Sequence, residues 1–450
     1  MPYTHTTLAA ALSALSLRLA DPNDVYWTAP EKTAYIVEAL RTWQALTSFY
    51  RDRQTFNTIA NVSFYNLTTI LPAGVFDYNI TDRQQIAVML YQLLERQLVA
   101  NAWNGTEQFN LPQVVGALER RRDQFLADSG CVISRSLIVS APNPSGRIPL
   151  PEGISDIRRA AWANGANPQV FSQIWRDDEF AINAYKSAWR QNPEDPPLAY
   201  SVSLTPPVSL QLAPILLNAG QIELLINQAG PPLDVTAGVL LSVPDDFAWG
   251  VKWGALGDLL ASDGPGRDVE RAQYCELRYK QAVELAQINP SIMETDIGDV
   301  PLDSGSIFDM DAYRPNWQND RGQPDYMGMA GRNLLAFANT PDAIYGVGID
   351  LARNIPVPVL AGDFLQISQD MLDTLLDYAQ HIACFKMGGQ DFSVTSPLYQ
   401  NFIRMAGEQN GRIRQAAFYN DALRQPALKM SGEVPRLDVP RTAQYEKTLT

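Results

Sequence analysis

Apolar residues recur at helical spacing in some stretches of this chain, alternate in others, and lose any period over one long stretch. Thr28-Ala29-Pro30-Glu31 has the form of a capping box with proline in the first turn. Behind it Ile36, Leu40, Trp43, Thr47 and Tyr50 recur at helical spacing, which predicts a helix with an apolar, aromatic face. Thr81 with Gln84 opens a second helix carrying Ile86, Met89, Leu90, Leu93 and Leu94, and a third is expected over 112–125. Residues 55–58 and 63–67 read as the arms of a β-hairpin turning near Ala60-Asn61. Strands are expected at 132–139, 200–205, 208–212 and 221–227, and helices at 155–163 and 178–190. The Pro/Gly-rich stretch 141–153 is the best boundary in the first half.

One pattern occurs twice. An extended, proline-punctuated run leads to Asp-Phe, then a helix, a Gly/Asp turn and a second helix. The first copy runs from Val239 through Asp245-Asp246-Phe247, with helices expected near 247–261 and 268–288. The second runs from Ile355 through Gly362-Asp363-Phe364, with helices near 364–386 and 396–420. In both, the acidic residue before the aromatic is placed to cap a helix start. Tyr279 and Ala286 in one copy correspond to Tyr399 and Ala406 in the other. A recurring strand and helical hairpin is an assembly element that supplies no catalytic chemistry.

Residues 289–340 show no period and are rich in Asp, Gly, Asn and Met, which is long for a loop inside a compact domain. Phe308, Tyr313, Trp317 and Tyr326 argue against plain disorder. The expectation is an irregular arm whose aromatics pack on a neighbouring subunit. A proline-punctuated tail over 425–450 is expected to be extended. The expected class is therefore α+β and helix-dominant, with helical bundles, inserted short strands or hairpins, and long extended arms. Its units are a helical bundle with a hairpin (1–140), a mixed unit ending in a helical hairpin (154–288), the arm (289–340), a strand with a second hairpin (341–424) and the tail (425–450).

The net charge of −14 argues against a surface that grips nucleic acid throughout, and it suits a wall past which DNA slides without sticking. Lysine occurs at only seven of the cationic positions, the rest being arginine, a bias that favours protein interfaces. Codon bias explains the same excess equally well. Glu119-Arg120-Arg121-Arg122-Asp123 is a short basic knot on a helix, either solvated or a contact for DNA or an acidic partner. Cys131, Cys275 and Cys384 lie far apart without metal-binding or disulfide spacing. No apolar run reaches membrane-spanning length, and a cytoplasmic folding compartment is expected.

His5 and His381 are the only histidines, which leaves little room for a His-based triad or metal site. Asp245-Asp246 and Asp309-Met310-Asp311 are acid pairs, better read as caps and turns than as cation ligands. No glycine-rich stretch has the lysine and hydroxyl of a phosphate-binding loop. No catalytic residue, cofactor or metal is expected, and the chain reads as a structural protein rather than an enzyme.

Asn23, Tyr26-Trp27-Thr28, Tyr35 through Arg41, Phe56 with Thr58, and Tyr65 with Leu67 followed by Leu71-Pro72 resemble the head-to-tail connector (adaptor, or neck) proteins of tailed bacteriophages. The later helical hairpin with Tyr399 and Phe402 resembles the same group. The resemblance covers about half of the chain. It implies a virion protein assembled in the host cytoplasm: a homo-oligomeric ring, commonly twelvefold, beneath the portal protein. Such a ring contacts tail or neck proteins and extends the channel through which genomic DNA passes without sequence-specific binding, and it has no membrane partner. Another tail, neck or baseplate subunit is the near alternative. A carboxylate-based glycoside hydrolase or carbohydrate-binding protein is the alternative from another class. It would show a pocket joining two acids beside aromatic platforms such as Trp249 and Trp253.

Overall fold

A computed structural model describes residues 5–93, 109–140, 146–164, 169–203, 208–264, 266–298 and 300–419, with side chains described as far as residue 412. In chain order the first elements are α1 (Leu8–Arg18), α2 (Ala29–Thr47), β1 (Arg51–Asn57), β2 (Phe64–Asn66), α3 (Leu67–Ile70), α4 (Asp82–Gln92) and α5 (Leu111–Ser129). There follow β3 (Ser134–Ser140), β4 (Arg147–Pro149), β5 (Ile154–Ala163), β6 (Phe171–Arg176), α6 (Glu179–Tyr185), β7 (Ala199–Ser203), β8 (Ser209–Ala213) and β9 (Gly220–Gln228). After the single turn Asp245–Phe247 come α7 (Ala248–Ala261), α8 (Val269–Ile288), β10 (Ile292–Ile297), β11 (Val300–Pro301), β12 (Asp303–Ser306), α9 (Ile307–Tyr313) and β13 (Arg321–Gly322). The chain continues with β14 (Tyr326–Ala330), β15 (Leu334–Ala338), β16 (Thr340–Pro341), β17 (Gly346–Ala352), α10 (Gln369–Cys384), α11 (Gly389–Ser393) and α12 (Ser396–Tyr419).

The helices begin where local chemistry dictates. Thr28 and Glu31 close a capping box on α2, and Thr81 with Gln84 does the same for α4. Both Asp21 carboxylate oxygens accept backbone N–H bonds, from Val25, Tyr26 and Trp27, which fixes the corner between α1 and α2. The main helices α1, α2, α4, α5, α7, α8, α10 and α12 share one apolar core. Helix α7 lies almost wholly inside it and meets α8 closely. At Gly250 a Cβ would stand 2.2 Å from the Ala282 methyl, so only glycine permits this approach.

The expectation of a helix-dominant bundle with short inserted strands and long arms is overturned. Seventeen strands form among the described residues, seven of them in one sheet of order β3-β9-β5-β6-β7-β8-β4 with its own core. Two four-stranded sheets, β1-β17-β10-β11 and β12-β14-β15-β2, share a further core, and the second also packs on Ile133 and Leu225 beside the seven-stranded sheet. Residues 155–163, expected as a helix, belong to β5. That strand is paired on both sides, by β9 and β6, and is buried over Ala160–Ala163, so alternation is lost and its alanines mimic a helix. The expected hairpin over 55–67 does not form. Instead β1 pairs with β17 and β2 with β15, each more than 250 residues away along the chain.

Residues 289–340 are not an arm. They hold β10 through β16 and α9, and Ile307, Met310, Trp317, Leu334 and Ala336 form a core with Phe64, Ile133 and Leu225. Short strands broken by Gly, Asp and Asn leave no period to read. In the second copy of the doubled pattern, Asp363 accepts N–H bonds from Val359 and Leu360 and makes a turn. The helix starts later, after Ser368. The expected tail over 425–450 lies outside the described residues.

The seven-stranded sheet is held to the rest by a buried ionic cluster. Arg159 on β5 donates to both Asp311 oxygens on α9 (2.6 and 3.0 Å), to Glu223 on β9 (3.1 Å) and to Gln318 (2.7 Å). Gln318 in turn donates to Glu223, and Arg135 on β3 completes that carboxylate at 2.7 Å. Arg159→Leu leaves Asp311 and Glu223 buried without their shared cation. Urea denaturation should show a loss of about 3–5 kcal/mol, the cost of breaking a buried pair, and a loss below about 1 kcal/mol would mean water reaches this cluster.

Candidate functional site

The seven residues singled out in the sequence meet different fates. Phe308 and Tyr313 stand exposed on α9, Tyr313 at 84%. Tyr326 is half-buried on β14 beneath the Arg314 guanidinium. Trp317 is fully buried. Its Nε1 donates to Asp311 at 2.9 Å and its ring meets Phe64 edge-on, so it serves the chain's own core and is closed to any partner.

The basic knot is consumed within the chain. Arg120 and Arg121 both donate to Asp258 on α7, and Arg121 also reaches Glu276 on α8 and lies over the Tyr279 ring. Burial works against ionisation of Asp258, yet hydrogen bonds from Arg121 and Arg120 hold its carboxyl below the usual range. Arg122 is fully buried and donates to the Pro231 and Gly230 carbonyls and to Asp123. These arginines fasten α5 to α7, α8 and the segment after β9, and Arg122 offers nothing to DNA or a partner.

The other candidate chemistry is likewise internal. His381 has Thr395 at 2.8 Å on Nδ1 and Tyr274 at 3.0 Å on Nε2, and its ring stacks on Phe392. Burial lowers its pKa to about 3, so the ring stays neutral. Trp249 and Trp253, the platforms that the carbohydrate reading requires, are buried in the helical core. Asp309 caps α9 from within a capping box with Ser306, and Asp311 belongs to the Arg159 cluster. Among the described residues no three His, Cys, Asp or Glu side chains gather as a metal site, and no helix is long and apolar enough to cross a membrane. Grooves of about 590 Å³ between α8 and α12 and about 400 Å³ between α2 and α4 interrupt the helical surface.

Two apolar surfaces associated with the seven-stranded sheet stand open among the described residues, besides exposed apolar side chains elsewhere such as Phe308, Tyr313, Val359 and Leu360. The first is the edge strand β3, which presents Leu137 and Val139 on one face. The second lies three strands away in the sheet. There Trp175 lies next to the end of β6, its N–H bonded to the Leu198 carbonyl, and Phe180 and Tyr185 follow on α6. All four side chains are more than half exposed, Phe180 at 85%. Sequence reading missed both. The Leu-x-Val alternation inside an expected strand is a signal for the first. For the second, the helix expected over 178–190 stops at Tyr185 as α6, and Trp189 turns into a small core with Ile182, Ala199, Ala213 and Ile215.

Asp246 titrates near neutrality. Burial pushes its carboxyl up to about 7, against the pull of Arg41 and with the repulsion of Asp245. Its folded value exceeds the unfolded value of 3.8, so between them the folded chain keeps a proton that the unfolded chain has lost. Its contribution therefore falls as pH rises through that window. The Tm of Asp246→Asn relative to wild type should climb from pH 5 to pH 8. A difference that stays flat across thermal melts in that range would mean Asp246 remains ionised.

No protein-family model matches this sequence, and no curated protein matches it.

Proposed function

We propose that this chain is a structural subunit of a tailed-bacteriophage virion, a head-to-tail connector that forms a ring between portal and tail and lines the DNA channel. The observation that carries this reading is the pair of unlike apolar surfaces on one sheet: the β3 edge and the Trp175, Leu198, Phe180 and Tyr185 cluster. A ring of identical subunits is built by heterologous contacts, in which one surface of each copy meets a different surface of the next. Both surfaces combine aromatic or branched apolar groups with open backbone or polar neighbours, the composition of interface cores.

The residues that carry the connector resemblance support the reading in a second way. Trp27 is buried and donates from Nε1 to the Ala383 carbonyl at 2.9 Å, Thr28 caps α2, and Tyr35 donates to Glu31 within the core. They are thus determinants of the α1–α2 corner and its seat on α10, so what the resemblance rests on is packing rather than reaction chemistry. The net charge of −14 suits a channel wall that lets phosphates slide. The same surfaces would serve another neck or tail subunit, and binding to the portal separates the two.

The purified chain should sediment as a high-order oligomer, or assemble into rings in negative stain when its cognate portal protein is added. Replacing Trp175 and Phe180 together by Asp should leave the fold intact by circular dichroism and abolish assembly. A wild-type chain that stays monomeric and ignores the portal would sink the reading.

A further inference from the structure

The cleft of about 400 Å³ between α2 and α4 has the size of a small-molecule site. Ala34, Val37, Ala87, Val88 and Val357 give it apolar walls, and Trp249 and Glu38 also line it. Arg41 of α2 is half-buried in the same lining, and among the described residues no hydrogen bond or ion pair engages its guanidinium. The acids that attract it, Asp245, Asp246 and Glu38, are each met otherwise. Glu38 accepts from Lys252 and Trp253, Asp245 accepts the Asn79 and Ile80 N–H groups, and burial keeps Asp246 protonated up to about 7. Burial lowers the Arg41 pKa against the pull of these acids, but a guanidinium keeps its proton in a protein. A charged fork of N–H donors thus stands unmet in the wall of a mostly apolar space, where an acceptor counts for most.

We propose that this cleft binds a linear monocarboxylate, its head on Arg41 and its apolar chain lying along α2. The shape suits the chain. Pro30 and Arg41 both line the cleft, and the helical rise sets them about 16 Å apart. Asp245 attracts Arg41 and holds the Ile80 N–H, which places the guanidinium near the start of α4. Tyr91, in the last turn of α4, acts on Tyr35 and stands toward the opposite end. The charge suits the head. A planar guanidinium takes a carboxylate through two parallel N–H bonds, a match that an ammonium cannot make. A dianion such as a phosphate monoester calls for a second cation, and among the described residues Arg41 is the one cation in the lining. Glu38 keeps its pairing with Lys252, so its charge is already met when the head arrives. This inference stands apart from the ring reading and needs no neighbouring subunit.

The test titrates sodium octanoate into the full chain by isothermal titration calorimetry, beside octanamide, which carries the same hydrocarbon without the charge. Octanoate should bind one to one, and octanamide about tenfold or more weakly, the usual worth of a charge-assisted bond. Arg41→Gln should bind the two ligands alike. Ala34→Phe, a substitution on the half-buried wall that fills the cleft, should bind neither. Thermal melts of both variants check that the fold is kept. Octanamide binding as tightly as octanoate, or an Arg41→Gln chain that keeps the preference, would overturn the proposal. So would a wild-type chain that millimolar octanoate does not saturate. If Arg41→Gln fails to fold, Ala34→Phe decides, since undiminished octanoate binding there places the ligand elsewhere and overturns the proposal.

Discussion

In the helical half, one buried carboxylate has to answer for two buried cations. Glu38 on α2 accepts from Lys252 Nζ, from Trp253 Nε1 at 2.8 Å and from the Tyr378 hydroxyl. Tyr378 in turn receives Arg278 from α8 at 2.6 Å, and Tyr399 on α12 takes the same guanidinium at 2.7 Å. Among the described residues no carboxylate pairs with Arg278, and its Nε makes no hydrogen bond. The guanidinium lies instead over the faces of Trp249, Tyr378 and Tyr399, whose π-electrons substitute for an anion. Taking such charges out of water costs several kcal/mol per ion unless every donor is met. The arrangement of α2, α7, α8, α10 and α12 is therefore fixed jointly: shifting any one strands a charge contributed by another.

The seven-stranded sheet is attached on a similar principle through different residues. Arg159 and Arg135 share Glu223, and Asp311 and Gln318 reach across from the segment after β12. Apolar contacts of Ile133 and Leu225 with Trp317 and Leu334 surround that cluster. A large apolar interface tolerates sliding, but a bidentate Arg–carboxylate pair does not. The sheet is thus held in a set orientation to α9 and the segment that follows it.

What could be read in the sequence follows from the range of the interactions responsible. Helix starts at Thr28 and Thr81 were legible because a capping box is complete within four residues. The strands 199–203, 209–213 and 220–228 lay close to their expected places because each is bounded by turn residues. The internal role of Arg120, Arg121 and Arg122 was not legible, since Asp258 and the Gly230 carbonyl stand more than a hundred residues away. Strand β5 and the 289–340 region failed for a related reason. Pairing on both sides buries both faces, and the partner that removes the alternation cannot be seen from the strand itself. The connector resemblance drew attention to helices and arms, and so away from the sheet that carries both open surfaces.

The partners of β1 have one more consequence, for the order in which the protein is made. The seven-stranded sheet has all its strands within residues 134–228 and can close while the rest is still being translated. Strand β1 has to wait for β17, which leaves the ribosome about 15–60 s later at common elongation rates. Throughout that interval it is a bare strand on a tethered nascent chain, in a cell crowded with other copies emerging from the same messenger. Its Arg51, Asp52 and Arg53 repel such neighbours, so these charges protect the protein at a stage when the fold that will seat them does not yet exist.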